Sequence, residues 1–383
     1  MIDETDNFNQ GEFLAHYWHK QPLLIRSYLP DFKDPIEPEE LAGLACEELI
    51  ESRLVRYEHN SWQLQNGPFN EAHFQQLPKQ NWTLLIQAVD QWVEQVADLK
   101  KQFSYLPDWR IEDVMISYAT DGGGVGPHFD SYDVFLLQGA GSRRWQIGPR
   151  CDKDAALVPN SDLKLLADFH SQQEFNLGSG DVLYLPPRIP HHGVSTGNSL
   201  CYSIGFRAPS FGEMLLGFTD QLIHGLDEER RFSSDQPRPA QHAGEIDPDT
   251  LNETFTALLG LTDNQEKFLL WFGCNATEPK YPELIEPPET ALTLNEVLRE
   301  LKAGCKLAKC PSSRFAYMQL SSVLHLFVNG RHFSVPISAL GSAQHLCNCT
   351  KFEASDVEIV LPINEIQPIL EVLLNQGSLL LEK

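Results

Sequence analysis

The chain has 383 residues, 42% of them hydrophobic and 10% aromatic, enough for two or three domains around a sizeable buried core. No apolar run reaches the ~18 residues that span a bilayer, and the acidic, polar start MIDETDNFNQGEF lacks the basic and apolar segments of a secretory signal, so a cytoplasmic protein with no membrane association is expected. A formal net charge of −24, from 53 acidic and 29 basic residues, repels nucleic-acid phosphates and suits basic partners.

In chain order, residues 8–26 read as a short helix that Pro22 ends, followed by the apolar strand Leu23-Leu24-Ile25. From Pro35 to Gln102 the apolar spacing is mostly helical, with Pro and acids at a helix start in PIEPEELAGLACEE. Asn66-Gly67 reads as a turn signal there, and TLLIQAV as a strand. From Trp109 to Ala208 strand follows strand: VMISYAT, HFDSYDVFLLQ, RRWQIG, QEFNLG, DVLYLP and SLCYSIGFRA. Short strands rich in Val, Ile, Phe and Tyr, separated by Gly, Pro, Asn and Asp, predict a β-sandwich or barrel, with a jelly roll the obvious candidate.

After Pro209 the pattern turns helical, in FGEMLLGFTDQLIHGLDEERR and TLNETFTALLGLTDNQEKFLLWFG, with a polar, Pro-containing loop at 233–244 between them. The run Phe268 to Phe272 is apolar on every side and requires cover, from the barrel or from a second copy of the chain. The segment 278–290 is Pro-rich and acidic, hence a linker. Thr293 and Glu296 form a capping box, Asn329-Gly330 a hairpin turn, and INEIQPILEVLLNQ a last helix. Helices plus one hairpin suggest a winged-helix-like module. From Glu289 onward nine acidic residues stand against eight basic ones, so this module is nearly neutral, and no direct DNA binding is expected.

The chemistry gathers around GGGVGPHFDSYDVF. If His128 and Asp130 lie in a strand, they share one face, two-thirds of the facial triad that holds non-haem Fe(II). A second His is supplied by GDVLYLPPRIPHHGVS. There His191 is favoured as the third ligand, with His192 facing out and remaining the alternative. An oxygenase of this kind also needs a cation for the distal carboxylate of 2-oxoglutarate. At period two, Arg143 shares the face of Trp145 and Ile147 and would be buried, whereas Arg144 faces away. The triple glycine Gly122 to Gly124 would let a substrate backbone approach, or else makes a tight turn.

The stretches HYWHKQPLLIR, ISYATDGGGVGPHFDSYDVFLLQGAGSRRW, DVLYLPPRIPHHGVS and YSIGFRAPS resemble the bacterial JmjC-type 2-oxoglutarate oxygenases that act on ribosomal protein. The resemblance implies an α+β chain. Its parts would be a double-stranded β-helix (jelly-roll or cupin JmjC core) at 1–208, a helical dimerisation region at 209–278 and a winged-helix-like domain at 279–383. It implies Fe(II) on His128, Asp130 and His191, 2-oxoglutarate on Arg143, a homodimer, and hydroxylation of an arginine in a large-subunit ribosomal protein, which the acidic surface suits. Asp121, Tyr132 or Asp133, expected near the pocket mouth, could hold the guanidinium. A histidine-hydroxylating relative of the same fold, a different metal-binding cupin enzyme and a catalytically inert binding module are the alternatives. The eight Cys, including Cys305, Cys310, Cys347 and Cys349 near His345, match no common zinc spacing and are expected as free thiols.

Overall fold

A computed structural model of the chain describes residues 2–152, 154–227, 229, 231–232, 242–353 and 366–382. They divide into two units, residues 1–208 and residues 209–383.

The first unit opens with β1 (Asp3–Thr5), α1 (Gln10–His16), β2 (Leu23–Ile25) and α2 (Pro38–Leu44). A hairpin of β3 (Ser52–Glu58) and β4 (Ser61–Asn66) follows, then α3 (Glu71–Gln75), β5 (Trp82–Ile86) and α4 (Glu94–Ala97). The later strands are β6 (Ile111–Ala119), β7 (Val134–Gln138), β8 (Ser142–Ile147), β9 (Gln173–Leu177), β10 (Val182–Leu185), β11 (His191–Thr196) and β12 (Ser199–Phe206). Among the described residues they form two sheets, one ordered β1-β2-β10-β7-β12-β6-β5-β3-β4 and the other β11-β8-β9.

Side-chain alternation makes the large sheet apolar on both faces. Phe135, Leu137, Tyr184, Tyr202 and Ile204 point outward and meet Phe13 of α1 and Leu41 of α2 in one core. Val134, Leu136, Leu183, Leu185 and Cys201 point inward and meet Trp145, Ile147 and Leu177 of the small sheet in another. Phe135 is fully buried, with the rings of Phe103, Tyr184, Phe13 and Phe206 at 4.8, 4.9, 5.4 and 5.6 Å. Burying one such side chain contributes roughly 1.5–3 kcal/mol. This is the two-sheet arrangement of the expected jelly-roll core.

Four local expectations fail. The hairpin β3–β4 lies inside a region read as mostly helical, and it turns at His59 and Asn60, both left-handed (φ 51° and 58°). Asn66-Gly67 instead ends β4, where Gly67 N–H donates to Ser52 O at 2.8 Å. β11 went unread as a strand because His-His-Gly interrupts its apolar pattern. Finally, His128 and Asp130 precede β7 in irregular chain rather than sharing its strand.

The second unit begins with α5 (Phe211–His224), whose Ser210–Glu213 capping box fixes its start, then α6 (Pro248–Thr262) and α7 (Gln265–Ala276). The single helical stretch expected for the last two breaks at Asp263, because Asn264 caps α7 by accepting Lys267 N–H at 2.9 Å. Then come α8 (Leu294–Lys302), opened by the expected Thr293–Glu296 box, β13 (Lys306–Lys309), β14 (Phe315–Leu320), β15 (Val323–Val328) and β16 (Arg331–Pro336). The unit ends with α9 (Leu340–Asn348), β17 (Lys351–Phe352), α10 (Gln367–Asn375) and β18 (Leu379–Glu382). The β15–β16 turn falls at Asn329-Gly330 as expected.

The apolar run is covered within this unit only in part: Trp271 is 6% exposed beside Phe218, and Gly273 lies against the Phe327 ring of β15, whereas Phe268 remains 36% exposed. α5 still exposes Phe211, Leu215, Leu216 and Ile223, and α6 exposes Leu251, Phe255, Leu258 and Leu259. Most of the predicted loop at 233–244 and the first residues of INEIQPILEVLLNQ lie outside the described residues. No described helix is long and apolar enough to cross a membrane.

Candidate metal centre

His128 and His191 meet across an isolated antiparallel bridge: His128 N–H donates to His191 O at 3.1 Å, and His191 N–H donates to His128 O at 2.8 Å. The bridge sets the two rings 4.3 Å apart. Each ring donates its Nδ1–H to a backbone carbonyl, His128 to Gly126 at 2.9 Å and His191 to Ile189 at 3.0 Å. A carbonyl can only accept, so both Nε2 atoms carry lone pairs and point away from the backbone, the arrangement metal-binding histidines use. Asp130 is held from behind, its carbonyl accepting Arg188 N–H at 2.7 Å, and its Oδ2 lies 3.8 Å from His191 Nε2. Ligand atoms from His128, Asp130 and His191 all lie within 4.8 Å of one another. The convergence thus comes from a bridge and a pinned loop, not from one strand face. Burial, then the neighbouring His128, pushes His191 down from its ordinary 6.5 to about 4. A neutral imidazole is what a cation requires as ligand, and the donor set fits Fe(II).

Arg143 is 5% exposed, and burial pulls its pKa down. It donates hydrogen bonds to hydroxyls: Ser117 Oγ at 3.0 Å and Ser199 Oγ at 3.1 and 3.3 Å from two of its nitrogens. A buried guanidinium among hydroxyls is suited to an anion that completes its fork. Arg143 pairs with Ser195, four residues along β11 from His191. That spacing is roughly 13 Å of strand, room for the arginine side chain and a five-carbon diacid between it and the triad. The residues therefore fit 2-oxoglutarate as well as the metal.

The other expected residues are placed differently from one another. Asp121 is tied into loops, accepting Gly197 N–H at 2.8 Å and the Gln80 amide at 3.0 Å. Tyr132 is 42% exposed; the Asp130 charge first, then burial and Asp113, hold its pKa well above the ordinary value. Asp133 does not stand at a mouth. It is fully buried and accepts from the Tyr184 hydroxyl at 2.5 Å, with His19 Nδ1 at 2.7 Å, so it fastens the N-terminal segment to the sheet. Nor does His192 face solvent: it lies edge-on to Trp62 and Phe169, at 6.0 and 6.2 Å, and burial pushes it down to about 4.

The triple glycine serves the protein's own backbone. A Cβ at Gly123 would come within 2.3 Å of Trp82 O, and one at Gly124 within 2.5 Å of Gly193 O. All eight Cys are free thiols, and among the described residues the His128, Asp130, His191 group is the one cluster able to hold a metal. Sequence reading passed over Ser117 and Ser199, and also Asp113. The signal was there in β6: Asp113, Met115 and Ser117 recur at period two opposite the apolar Val114 and Ile116.

Comparison with known proteins agrees with this geometry. The family model described as JmjC domain matches residues 98–214, and that described as ROXA-like winged helix matches residues 260–379. The Escherichia coli protein named ribosomal protein uL16 3-hydroxylase is 38% identical over 77% of this chain and 79% of its own length. A Haemophilus influenzae protein named probable ribosomal oxygenase is 37% identical over 55% of this chain and 53% of its own. The crystal structure of E. coli ycfD superposes with a TM-score of 0.89 at 34% identity, over 99% of both chains. A structure of that ribosomal oxygenase with cobalt and 2-oxoglutarate gives 0.86 at 33% identity, over 98% of this chain and 99% of the other.

Proposed function

The chain belongs to the JmjC-type ribosomal oxygenases, and from that membership we infer an Fe(II)- and 2-oxoglutarate-dependent hydroxylase that acts on a ribosomal protein. The observation that carries the reading is the meeting of two imidazoles and a carboxylate within 4.8 Å, beside a buried guanidinium whose partners are hydroxyls. His128, Asp130 and His191 hold the iron, and Arg143 the distal carboxylate of 2-oxoglutarate. With both bound and O2 admitted, the centre supplies the oxidation that converts a substrate C–H to C–OH while 2-oxoglutarate goes to succinate and CO2.

The chain's own residues do the positioning. The carbonyls of Gly126 and Ile189 lock the two rings, Arg188 N–H pins the Asp130 loop, and Ser117 and Ser199 aim the Arg143 fork. The substrate we propose is an arginine of large-subunit protein uL16, the protein for which the E. coli relative is named. A basic substrate suits a chain of net charge −24. Asp121 and Tyr132 are the proposed contacts at the opening.

The same reading extends to the second unit. Residues 209–278 form a dimerisation region, because the leucines and phenylalanines that α5 and α6 expose call for an apolar partner and a second copy supplies one. Residues 279–383 form the winged-helix-like domain, and the enzyme works in the cytoplasm, where ribosomal protein is made. The test is succinate release from 2-oxoglutarate by purified protein with Fe(II) on addition of uL16. Release that His128→Ala and Arg143→Ala both abolish supports the reading; bound iron with no substrate-dependent release contradicts the proposed substrate, and failure to bind iron contradicts the centre itself.

A further inference from the structure

Asp113 is a carboxylate to which none of the roles above gives a use. It is 3% exposed and lies on the inward face of β6 together with Ser117, a partner of the Arg143 guanidinium; Val114 and Ile116 face the outer core. Asp113 therefore looks into the same space between the sheets as Arg143. Four residues of strand, roughly 13 Å, separate its position from Ser117, which puts it toward the other end of that space.

Across the strand pairing Asp113 faces Gly205 of β12. A Cβ at Gly205 would lie 3.9 Å from Tyr132 Cε2 and 4.0 Å from Asp113 Oδ1, with no other heavy atom within 4 Å. The aromatic ring and the carboxylate thus flank a spot that carries no side chain. Asp113 is also oriented from behind: the Gln87 amide donates to both its oxygens, at 3.0 and 2.9 Å, while Gln87 Oε1 accepts from Arg53 at 3.0 Å. The amide stands between the arginine and the carboxylate and fixes the carboxylate plane. Tyr132 stands two residues after Asp130, so this spot borders the metal centre.

A cation drawn into such an interior needs an anion of its own. The Asp130 charge is committed to the metal. We propose that Asp113, with the Tyr132 ring beside it and the gap over Gly205 as the opening, is the seat that selects a cationic, planar side chain in the substrate. The carboxylate pairs with the guanidinium and the ring stacks on it. This inference rests on the hydroxylase reading above and adds to it the residue that sets arginine apart from neutral side chains.

The test uses the full-length enzyme, the peptide of uL16 that the wild type hydroxylates, and the same peptide with citrulline, an uncharged isostere, in place of the target arginine. Two variants are compared, Asp113→Asn and Gly205→Ala. The second adds a methyl in ordinary contact and at an ordinary backbone angle, so it keeps the fold even if the first does not. The wild type should prefer arginine over citrulline by about tenfold or more in kcat/KM, the worth of a charged hydrogen bond. Asp113→Asn should lose that preference, and Gly205→Ala should raise the arginine-peptide KM about tenfold while the KM for 2-oxoglutarate holds. Wild-type hydroxylation of arginine with the preference intact in Asp113→Asn, or with the peptide KM unmoved in Gly205→Ala, overturns the seat and leaves the hydroxylase standing. A wild type that leaves arginine unmodified overturns both.

Discussion

His191 shows how much one residue must satisfy here: its backbone closes the bridge to His128, its Nδ1 is spent on Ile189, and its Nε2 is left for a metal. Burial keeps it neutral down to about 4, and His192 likewise. Below about 6.5 the unfolded chain takes up protons on these rings that the folded chain refuses until about 4, so stability falls as pH falls through that window. Urea melts of metal-free protein at pH 6.5, 5.5 and 4.5 should show the decline, and His192→Gln should lessen its slope; a flat profile would contradict it. Arg143→Met should raise the KM for 2-oxoglutarate by about ten- to hundredfold, read by steady-state kinetics. The period-two placement of Arg143 was legible in the sequence, because it depends on spacing along one short strand; the H-x-D motif was legible as a ligand pair, but the bridge and loop that make it converge with His191 were not. The role of Asp133 was not: its partners, His19 and Tyr184, are brought to it by the fold. Asp113 could have been found, as a polar residue at period two in an apolar strand.

Among the elements, those with strong local signals were read correctly: the capping box at Thr293, the Asn329-Gly330 turn, and the apolar strands β7, β8, β10 and β12. Those whose form depends on neighbours were not. β3 and β4 mix charged and apolar residues, and pairing with β5 makes them strands. β11 is a strand because it pairs with β8 in full register from His191 to Thr196. The break between α6 and α7 is set by the Asn264 cap, whose loss in Asn264→Ala should cost about 1 kcal/mol of stability by chemical denaturation. On the exposed faces of α5 and α6, Leu216→Glu with Leu258→Glu should turn a dimer into a monomer by light scattering. A wild type that is monomeric at micromolar concentration would contradict the dimerisation role.

At the scale of the whole molecule, a net charge of −24 facing a basic ribosomal protein makes encounter electrostatic. The KM for uL16 should therefore rise with added salt while the KM for 2-oxoglutarate moves much less; a salt-independent substrate KM would argue against recognition by the acidic surface. The two-sheet core, the helical stretch and the terminal module follow the order expected from the sequence, because alternating strands, 3.6-residue helical patterns and Pro-rich linkers are each local signatures. The most direct test of the central claim is mass spectrometry of uL16 incubated with the protein, Fe(II) and 2-oxoglutarate. The account predicts a gain of one oxygen on a single arginine, lost with His128→Ala. Iron and 2-oxoglutarate bound by the wild type with no oxygen gained on any residue of uL16 would contradict it.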